Sequence, residues 1–103
     1  MVQSRVVNVH LTFRNTDATD ALKSYATDKV SNCLKKYIHH DTEANLVLSV
    51  EKNRHIAEIT FNVDGAAFNC SEESADLYAS IDSLVSALGN QMRKHKEKIT
   101  SHH

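Results

Sequence analysis

Three stretches in which apolar and polar residues alternate restrict what this chain of 103 residues can fold into. Apolar side chains occupy every second position in residues 7–13, 46–50 and 59–63. A period of two predicts half-buried strands, each with one apolar and one polar face. Phe68 and Cys70 continue the alternation, and we expect them to point inward from a short fourth strand. A sheet with one apolar face needs a second layer to cover it.

Two amphipathic helices supply that layer. Thr19 is a good N-cap, and the negative charge of Asp20 in the first turn interacts favourably with the helix dipole. The first helix is therefore predicted to run from these residues to about Ile38. The second helix is predicted to start near Ser74 or Asp76. Three tyrosines fall on the apolar stripes of these helices, and we expect all of them in the core: Tyr25, Tyr37 and Tyr78.

Turn signals separate these elements. Residues 39–42 read as a loop, Asn53-Arg54 as a hairpin turn, and Asp64-Gly65 as a strong hairpin turn. The fourth strand should end at residues 72–74. Gly89 lies inside the second helix, where it is either a tolerated weak point or a site of close packing.

The resulting order, β-α-β-β-β-α, predicts one α+β domain over residues 1–103, with an ordered core at about residues 5–98. We expect a two-layer sandwich, in which a four-stranded sheet carries both helices on one face. Double-stranded RNA-binding domains have a similar topology.

Composition limits the protein class. The apolar fraction is 41% and the charged fraction 24%, as in ordinary globular proteins. No apolar run approaches the ~20 residues of a membrane helix, and the first residues do not resemble a secretory signal, so we expect a cytoplasmic protein with no membrane partner. Two cysteines are too few for a disulfide framework.

Charge is unevenly distributed, although the net charge is only -1. No lysine or arginine lies between His55 and Met92, a stretch that holds six acidic residues, and the chain then switches to RKHKEK. Such segregation favours a polyanionic partner. A simpler interpretation is that cations at a helix end stabilise the helix dipole by about 0.3–1 kcal/mol each.

The basic residues of the two helices are the candidate binding site. Lys29 and Lys36 are about two turns apart on one side of the first helix, whereas Lys23 and Lys35 fall elsewhere. If the helices lie side by side, these residues and the end of the second helix form one basic surface. Lys52 and Arg54 sit at a hairpin tip, which either probes a groove or is only hydrated.

The sequence offers little for catalysis. His39-His40-Asp41 and His102-His103 lack the spacing of metal ligands, and no glycine-rich phosphate loop is present. Neither Cys33 nor Cys70 has a recognisable base beside it, and both are expected to be buried. We therefore expect a binding protein with no metal, no cofactor and no small-molecule substrate, and not an enzyme.

The second helix carries a specific pattern. Asp76-Leu77-Tyr78-Ala79-Ser80-Ile81-Asp82-Ser83-Leu84, followed by Gln91-Met92-Arg93-Lys94-His95-Lys96-Glu97-Lys98, resembles the ribosome hibernation promoting factors, also called ribosome-associated translation inhibitors or sigma-54 modulation proteins. Thr19-Asp20-Ala21-Leu22, Val50-Glu51-Lys52 and Val63-Asp64-Gly65 match the family in register. The resemblance covers about residues 6–98, and the family fold has the same β-α-β-β-β-α order.

The resemblance implies a partner and a mechanism. It implies binding to the small ribosomal subunit between head and body, where the factor blocks messenger RNA and A- and P-site transfer RNA during stress or stationary phase. The chain looks like the short form of the family, without a further C-terminal domain. In that form ribosome dimers would be promoted together with ribosome modulation factor.

The resemblance also assigns the RNA contacts, which we expect to recognise RNA shape through phosphates. The expected contacts are Lys23, Lys29, Lys36, Arg93, Lys94, His95, Lys96 and Lys98, with Lys35, Lys52 and Arg54 as further candidates. His95 has like-charged neighbours and would stack on a base or donate to a phosphate as a neutral ring. At four positions where the family often has a basic residue, this chain has Asn32, Ser49, Ala87 and Asn90.

Two other binding functions fit the same pattern. A general binder of double-stranded RNA would bind naked duplexes as well as ribosomes. A protein-interaction module that modulates transcription would use the acidic residues Glu72, Glu73 and Asp76, and its binding would depend little on salt.

Overall fold

The structure, a computed structural model, describes residues 6–38, 40–63 and 65–100, without the side chains of residues 98–100. Its elements are β1 (Val7–Arg14), α1 (Asp20–Lys35), β2 (Thr42–Glu51), β3 (Arg54–Val63), β4 (Ala66–Ser74) and α2 (Leu77–Thr100). The predicted order and the α+β fold class are confirmed. No helix within the described ranges is long and apolar enough to cross a membrane.

The four strands form one mixed sheet in the order β1-β2-β3-β4. β1 and β2 are parallel, because α1 carries the chain back between them, whereas β2–β3 and β3–β4 are antiparallel hairpins. The helices pack side by side and run in the same direction, since Tyr25 meets Tyr78 near their starts and Cys33 meets Val85 further along. Both helix C-termini therefore lie at one end of the molecule, and the β2–β3 hairpin lies at the other.

One face of the sheet packs against both helices. Leu46, Leu48 and Ile59 of the sheet and Leu84 and Leu88 of α2 are fully buried. Burial of such side chains contributes about 1.5–3 kcal/mol each, which is the main reason the two layers stay together. The opposite sheet face is mostly polar, as predicted, with the half-buried Val47 and Ile56 as apolar exceptions.

Strand and helix ends differ from the expectations by a few residues. α1 ends at Lys35 and not at Ile38, because the Tyr37 N–H donates to the Leu34 carbonyl oxygen only three residues back (2.9 Å) and tightens the chain into a turn. The Ile38 N–H donates to the same oxygen at 3.2 Å. Ile38 is 1% exposed, so the apolar stripe continues into this turn and made the helix appear longer. Thr42, placed in a loop by the sequence, is the first residue of β2.

The second helix begins after Asp76, whose carboxylate accepts a hydrogen bond from the Ala79 N–H at 2.8 Å. The alternative start at Ser74 was wrong, because Ser74 pairs with His55 at the end of β4. The hairpin between β2 and β3 turns at Lys52 and Asn53, with Lys52 at φ 57°.

Arg54 was wrongly assigned to that turn, because it pairs with Glu51 in the β2–β3 ladder. The following hairpin pairs Val63 with Ala66, and Gly65 adopts the positive φ of 76° that such a tight turn requires. Asp64 lies outside the described residues.

Four of the residues expected in the core are less buried than predicted. Tyr78 is 42% exposed, because it lies on the side of α2 that faces Tyr25 rather than the sheet. Cys70 is only half-buried, whereas Cys33 is buried. Tyr25 and Tyr37 are half-buried and pack against the core.

Candidate nucleic-acid interface

A groove of about 470 Å³ separates α1 from α2. Its walls come only from the two helices and the turn that follows α1, so their parallel packing creates it. The lining residues are Lys29, Asn32, Cys33, Lys36, Tyr37, Val85, Ser86, Gly89, Asn90 and Arg93. We call this feature the cationic groove.

Three cations from different parts of the sequence meet at the cationic groove. Lys29 of α1 and Lys36 at its C-cap line one wall, about 10 Å apart along the helix axis, and Arg93 lines the other. None of the described lining residues is acidic, and none of the ion pairs among described residues involves these three cations. The groove is therefore a site of uncompensated positive charge.

Amide side chains complete the walls. Arg93 donates from Nη2 to the Asn90 side-chain oxygen at 2.5 Å. A neutral acceptor orients the guanidinium without cancelling its charge, so Arg93 keeps donors available for an anion. Asn32 and Asn90, two of the four departures from the basic pattern of the family, both lie in the groove. Ala87 and Ser49 are not among its lining residues.

Cys33 contributes a neutral group to the same groove. Its side chain is buried, and Sγ lies 3.7 Å from the Val85 carbonyl oxygen. Burial raises the pKa of the Cys33 thiol, and the nearby charge of Lys36 offsets this only in part. The thiol therefore stays protonated near pH 7 and adds no negative charge.

Aromatic residues adjoin the cationic groove at the start of the helices. The Lys29 ammonium lies 5.4 Å from the centre of the Tyr25 ring, a cation–π contact. The Tyr25 hydroxyl donates to the Asp82 carboxylate at 2.5 Å, and this bond is the main reason that the pKa of Tyr25 is raised. Asp82 thus links the two helices through a tyrosine hydroxyl.

Not all of the basic residues predicted for the site reach the groove. Lys23 and Lys35 are exposed on other sides of α1, as the helical spacing indicated. Lys94 and Lys96 are exposed on the last turns of α2, beyond the groove. The side chain of Lys98 lies outside the described part of the structure.

His95 faces away from the cationic groove. Its ring meets Phe68 of β4 edge-to-face, with the ring centres 5.0 Å apart. In this structure the His95 ring therefore packs between α2 and the sheet. Stacking on a base or donating to a phosphate, as expected from the sequence, would have to compete with this packing.

The other two candidates lie at the opposite end of the molecule. Lys52 is exposed at the β2–β3 turn. Arg54 donates to both carboxylate oxygens of Glu73 (3.0–3.2 Å) and lies 3.7 Å from Glu51. This contact raises the pKa of Arg54 and lowers that of Glu73. The charge of Arg54 is thus compensated, which makes it a poor phosphate ligand.

The acidic residues that would serve a protein partner are also engaged. Glu73 is paired with Arg54, Asp76 caps α2, and Glu72 is half-buried. The structure therefore offers less free acidic surface than the sequence suggested. Within the described residues, no three histidine, cysteine or acidic side chains are close enough to hold a metal ion. His39, His102 and His103 lie outside those residues.

Sequence reasoning missed how the walls of the groove are completed. Asn32 and Asn90 were interpreted only as positions where the family often has a cation. The exposure of Tyr78 was missed as well, because this residue was assigned to the core. One signal for the exposure of Tyr78 was available. Tyr78, Asp82 and Val85 follow a helical i, i+4, i+7 spacing, and a polar residue on that stripe indicates its solvent-exposed edge.

Fold and groove together define a class: a β-α-β-β-β-α domain with a cation-lined groove in its helix layer. The chain belongs to the sigma 54 modulation protein / S30EA ribosomal protein family, whose sequence profile matches residues 9–100. It is 34% identical over 96 residues to the ribosome hibernation promoting factors of Salmonella typhimurium and of Escherichia coli strain K12, covering 93% of this chain and all of each relative.

Solved structures agree with this assignment. The crystal structure of the Thermus thermophilus Protein Y N-terminal domain matches with a TM-score of 0.76 and 31% identity, covering 85% of this chain and 98% of that one. A ribosomal subunit interface protein from Coxiella burnetii shares the fold, with a TM-score of 0.73 and 21% identity over 86% of this chain and 97% of that one.

Proposed function

We propose that this protein is a ribosome-associated hibernation factor, and that the cationic groove holds ribosomal RNA. The observation that carries the proposal is the convergence of Lys29, Lys36 and Arg93 on one groove without an acidic partner among its described lining residues. Charge-assisted hydrogen bonds to phosphate oxygens are stronger than neutral ones, and a guanidinium can bind phosphate through two of them.

The names of the relatives support the same role. The matched proteins of Salmonella typhimurium and Escherichia coli are called ribosome hibernation promoting factors, and a structural neighbour is called a ribosomal subunit interface protein. A protein that acts on ribosomes in this way works in the cytoplasm and needs no catalytic group.

We further propose the place and mode of binding. The protein occupies the small subunit at the decoding region between head and body, and it blocks messenger RNA and A- and P-site transfer RNA by occupying their space. Lys94 and Lys96 extend the basic surface beyond the groove, along α2. Such contacts recognise the shape of folded RNA rather than its base sequence. Together with ribosome modulation factor, the bound protein would promote ribosome dimers.

The first experiment is co-sedimentation with purified small ribosomal subunits over a series of salt concentrations. We expect one protein per subunit, an affinity that falls steeply as salt rises, and displacement by initiator transfer RNA. Equal affinity for naked duplex RNA would instead indicate a general binder of structured RNA. Absence of binding at low salt, with the protein still folded, would refute the proposal.

A second experiment addresses dimers. Ribosomes mixed with the protein, with ribosome modulation factor, or with both are separated on sucrose gradients. We expect the dimer peak to be largest when both proteins are present. If adding this protein lowers the dimer peak, it inactivates single ribosomes and does not promote dimers.

A further inference from the structure

Tyr78 is the only phenylalanine or tyrosine that the described part of the structure leaves exposed, at 42%. Single exposed apolar residues are common and need no explanation by themselves. Tyr78 differs because its ring is held in place and because it lies beside a charged site.

The ring is held through a chain of contacts across the two helices. Tyr78 meets Tyr25 edge-to-face, with the ring centres 4.9 Å apart and the planes at 70°. The Tyr25 ring is fixed in turn by its hydrogen bond to Asp82, one turn further along α2. A partner that stacks on Tyr78 would therefore meet a ring whose position is already set, and preorganisation of this kind lowers the entropy cost of binding.

The ring also lies on the same strip as the cationic groove. Tyr78, Asp82, Gly89 and Arg93 follow one side of α2, spaced four, seven and four residues apart. On α1, Tyr25 touches both Tyr78 and Lys29, the first cation of the groove. The strip therefore has an aromatic end at Tyr78 and a cationic end at Arg93, about 22 Å apart along the helix.

We infer that Tyr78 is a stacking platform for an unpaired nucleobase of the RNA whose phosphates lie in the cationic groove. Aromatic faces bind splayed-out bases with little regard to their identity, and folded RNA presents such bases in loops and bulges. A positive groove beside an exposed aromatic ring is the combination that binds single-stranded segments, since phosphates and bases alternate along the strand. The inference rests on the proposed function and adds a contact to a base.

The test compares Tyr78→Leu with Tyr78→Phe in the small-subunit binding assay. Leucine keeps an apolar contact with Tyr25 but removes the aromatic face, whereas phenylalanine keeps the face. We expect Tyr78→Leu to weaken binding about 5- to 150-fold, the range for loss of one base–aromatic stack. Tyr78→Phe should bind like the unmodified protein. The dependence on salt should be the same for all three, because no phosphate contact is lost.

Crosslinking identifies what lies against the ring. A photoreactive benzoylphenylalanine at position 78 should crosslink to ribosomal RNA when the protein is bound to small subunits. A crosslink to a ribosomal protein would overturn the inference and assign Tyr78 to a protein contact. Equal affinities of Tyr78→Leu and the unmodified protein would overturn it as well. If the unmodified protein itself fails to bind, the proposed function fails instead.

Discussion

Removal of the three groove cations should make ribosome binding far less sensitive to salt. The variant Lys29→Gln/Lys36→Gln/Arg93→Gln keeps long polar side chains but removes three positive charges from the cationic groove. Each phosphate contact steepens the plot of log affinity against log salt by about 0.7 to 0.9, because binding releases a counterion. Three lost contacts should therefore flatten the slope by about two to three units.

The change in slope also sets the difference in affinity loss to be measured. Between about 50 and 200 mM salt, the unmodified protein should lose about 20- to 40-fold more affinity for small subunits than the groove variant loses. Co-sedimentation or fluorescence anisotropy at four or five salt concentrations resolves this difference. Urea denaturation of both proteins checks that the variant is still folded, which we expect because all three side chains line an open groove.

A matched variant controls for total charge. Lys23→Gln/Lys35→Gln/Lys52→Gln removes the same number of charges from exposed positions outside the groove. We expect its slope to stay close to that of the unmodified protein. If both variants flatten the slope equally, the cations act through the overall electrostatic field of the protein. The claim that the cationic groove holds the phosphates is then refuted.

Three further predictions concern stability. Asp76→Ala should lower the free energy of unfolding by about 1 kcal/mol, because the Ala79 N–H loses its acceptor at the start of α2. Asp76→Asn should retain most of this stability. Equal losses of the free energy of unfolding for Asp76→Ala and Asp76→Asn in urea denaturation would contradict the capping role. Gly89→Ala should raise the free energy of unfolding by about 0.5–1 kcal/mol, because alanine favours the helix more than glycine does. Apart from the neighbouring backbone of α2 itself, no atom lies within 4 Å of the added methyl group; a decrease would show that the helices are crowded there. Arg54→Ala should destabilise the protein at neutral pH but not in acid. The pKa of Glu73 is lowered in the folded protein, so its pairing with Arg54 stabilises above the ordinary glutamate pKa of 4.5 and is lost as pH falls through the folded value. Urea midpoints that differ equally at neutral and acid pH would contradict this.

The fold could be predicted because local patterns dominate it. The alternation in residues 59–63 and the apolar stripe of α2 each have a period that suits only one kind of element. The cap at Thr19 was also predicted, since it depends on a side chain close in sequence to the N–H group that it binds. For α2 the sequence left Ser74 and Asp76 as alternative starts, and the structure selects Asp76. Errors occurred at boundaries such as Ile38, where a turn continued the burial pattern of the helix.

The candidate site could be predicted only in part. Lys29 and Lys36 were placed on one side of α1 by their spacing, and they do line one wall of the groove. The pairing of Arg54 with Glu73 could not be predicted, because Glu73 is 19 residues away and becomes its neighbour only through the β3–β4 ladder. Contacts between distant residues leave no local pattern to read.

The sequence alone thus determined the elements, their order and the two basic helix ends, because periodicity, capping and charge spacing act over a few residues. Tertiary structure decided which cations meet. Parallel packing of α1 and α2 brings Arg93 opposite Lys29 and Lys36, turns His95 onto Phe68, and leaves Tyr78 exposed beside Tyr25. Which side of a helix faces its neighbour depends on how the whole core packs, and that is a property of residues far apart in the chain.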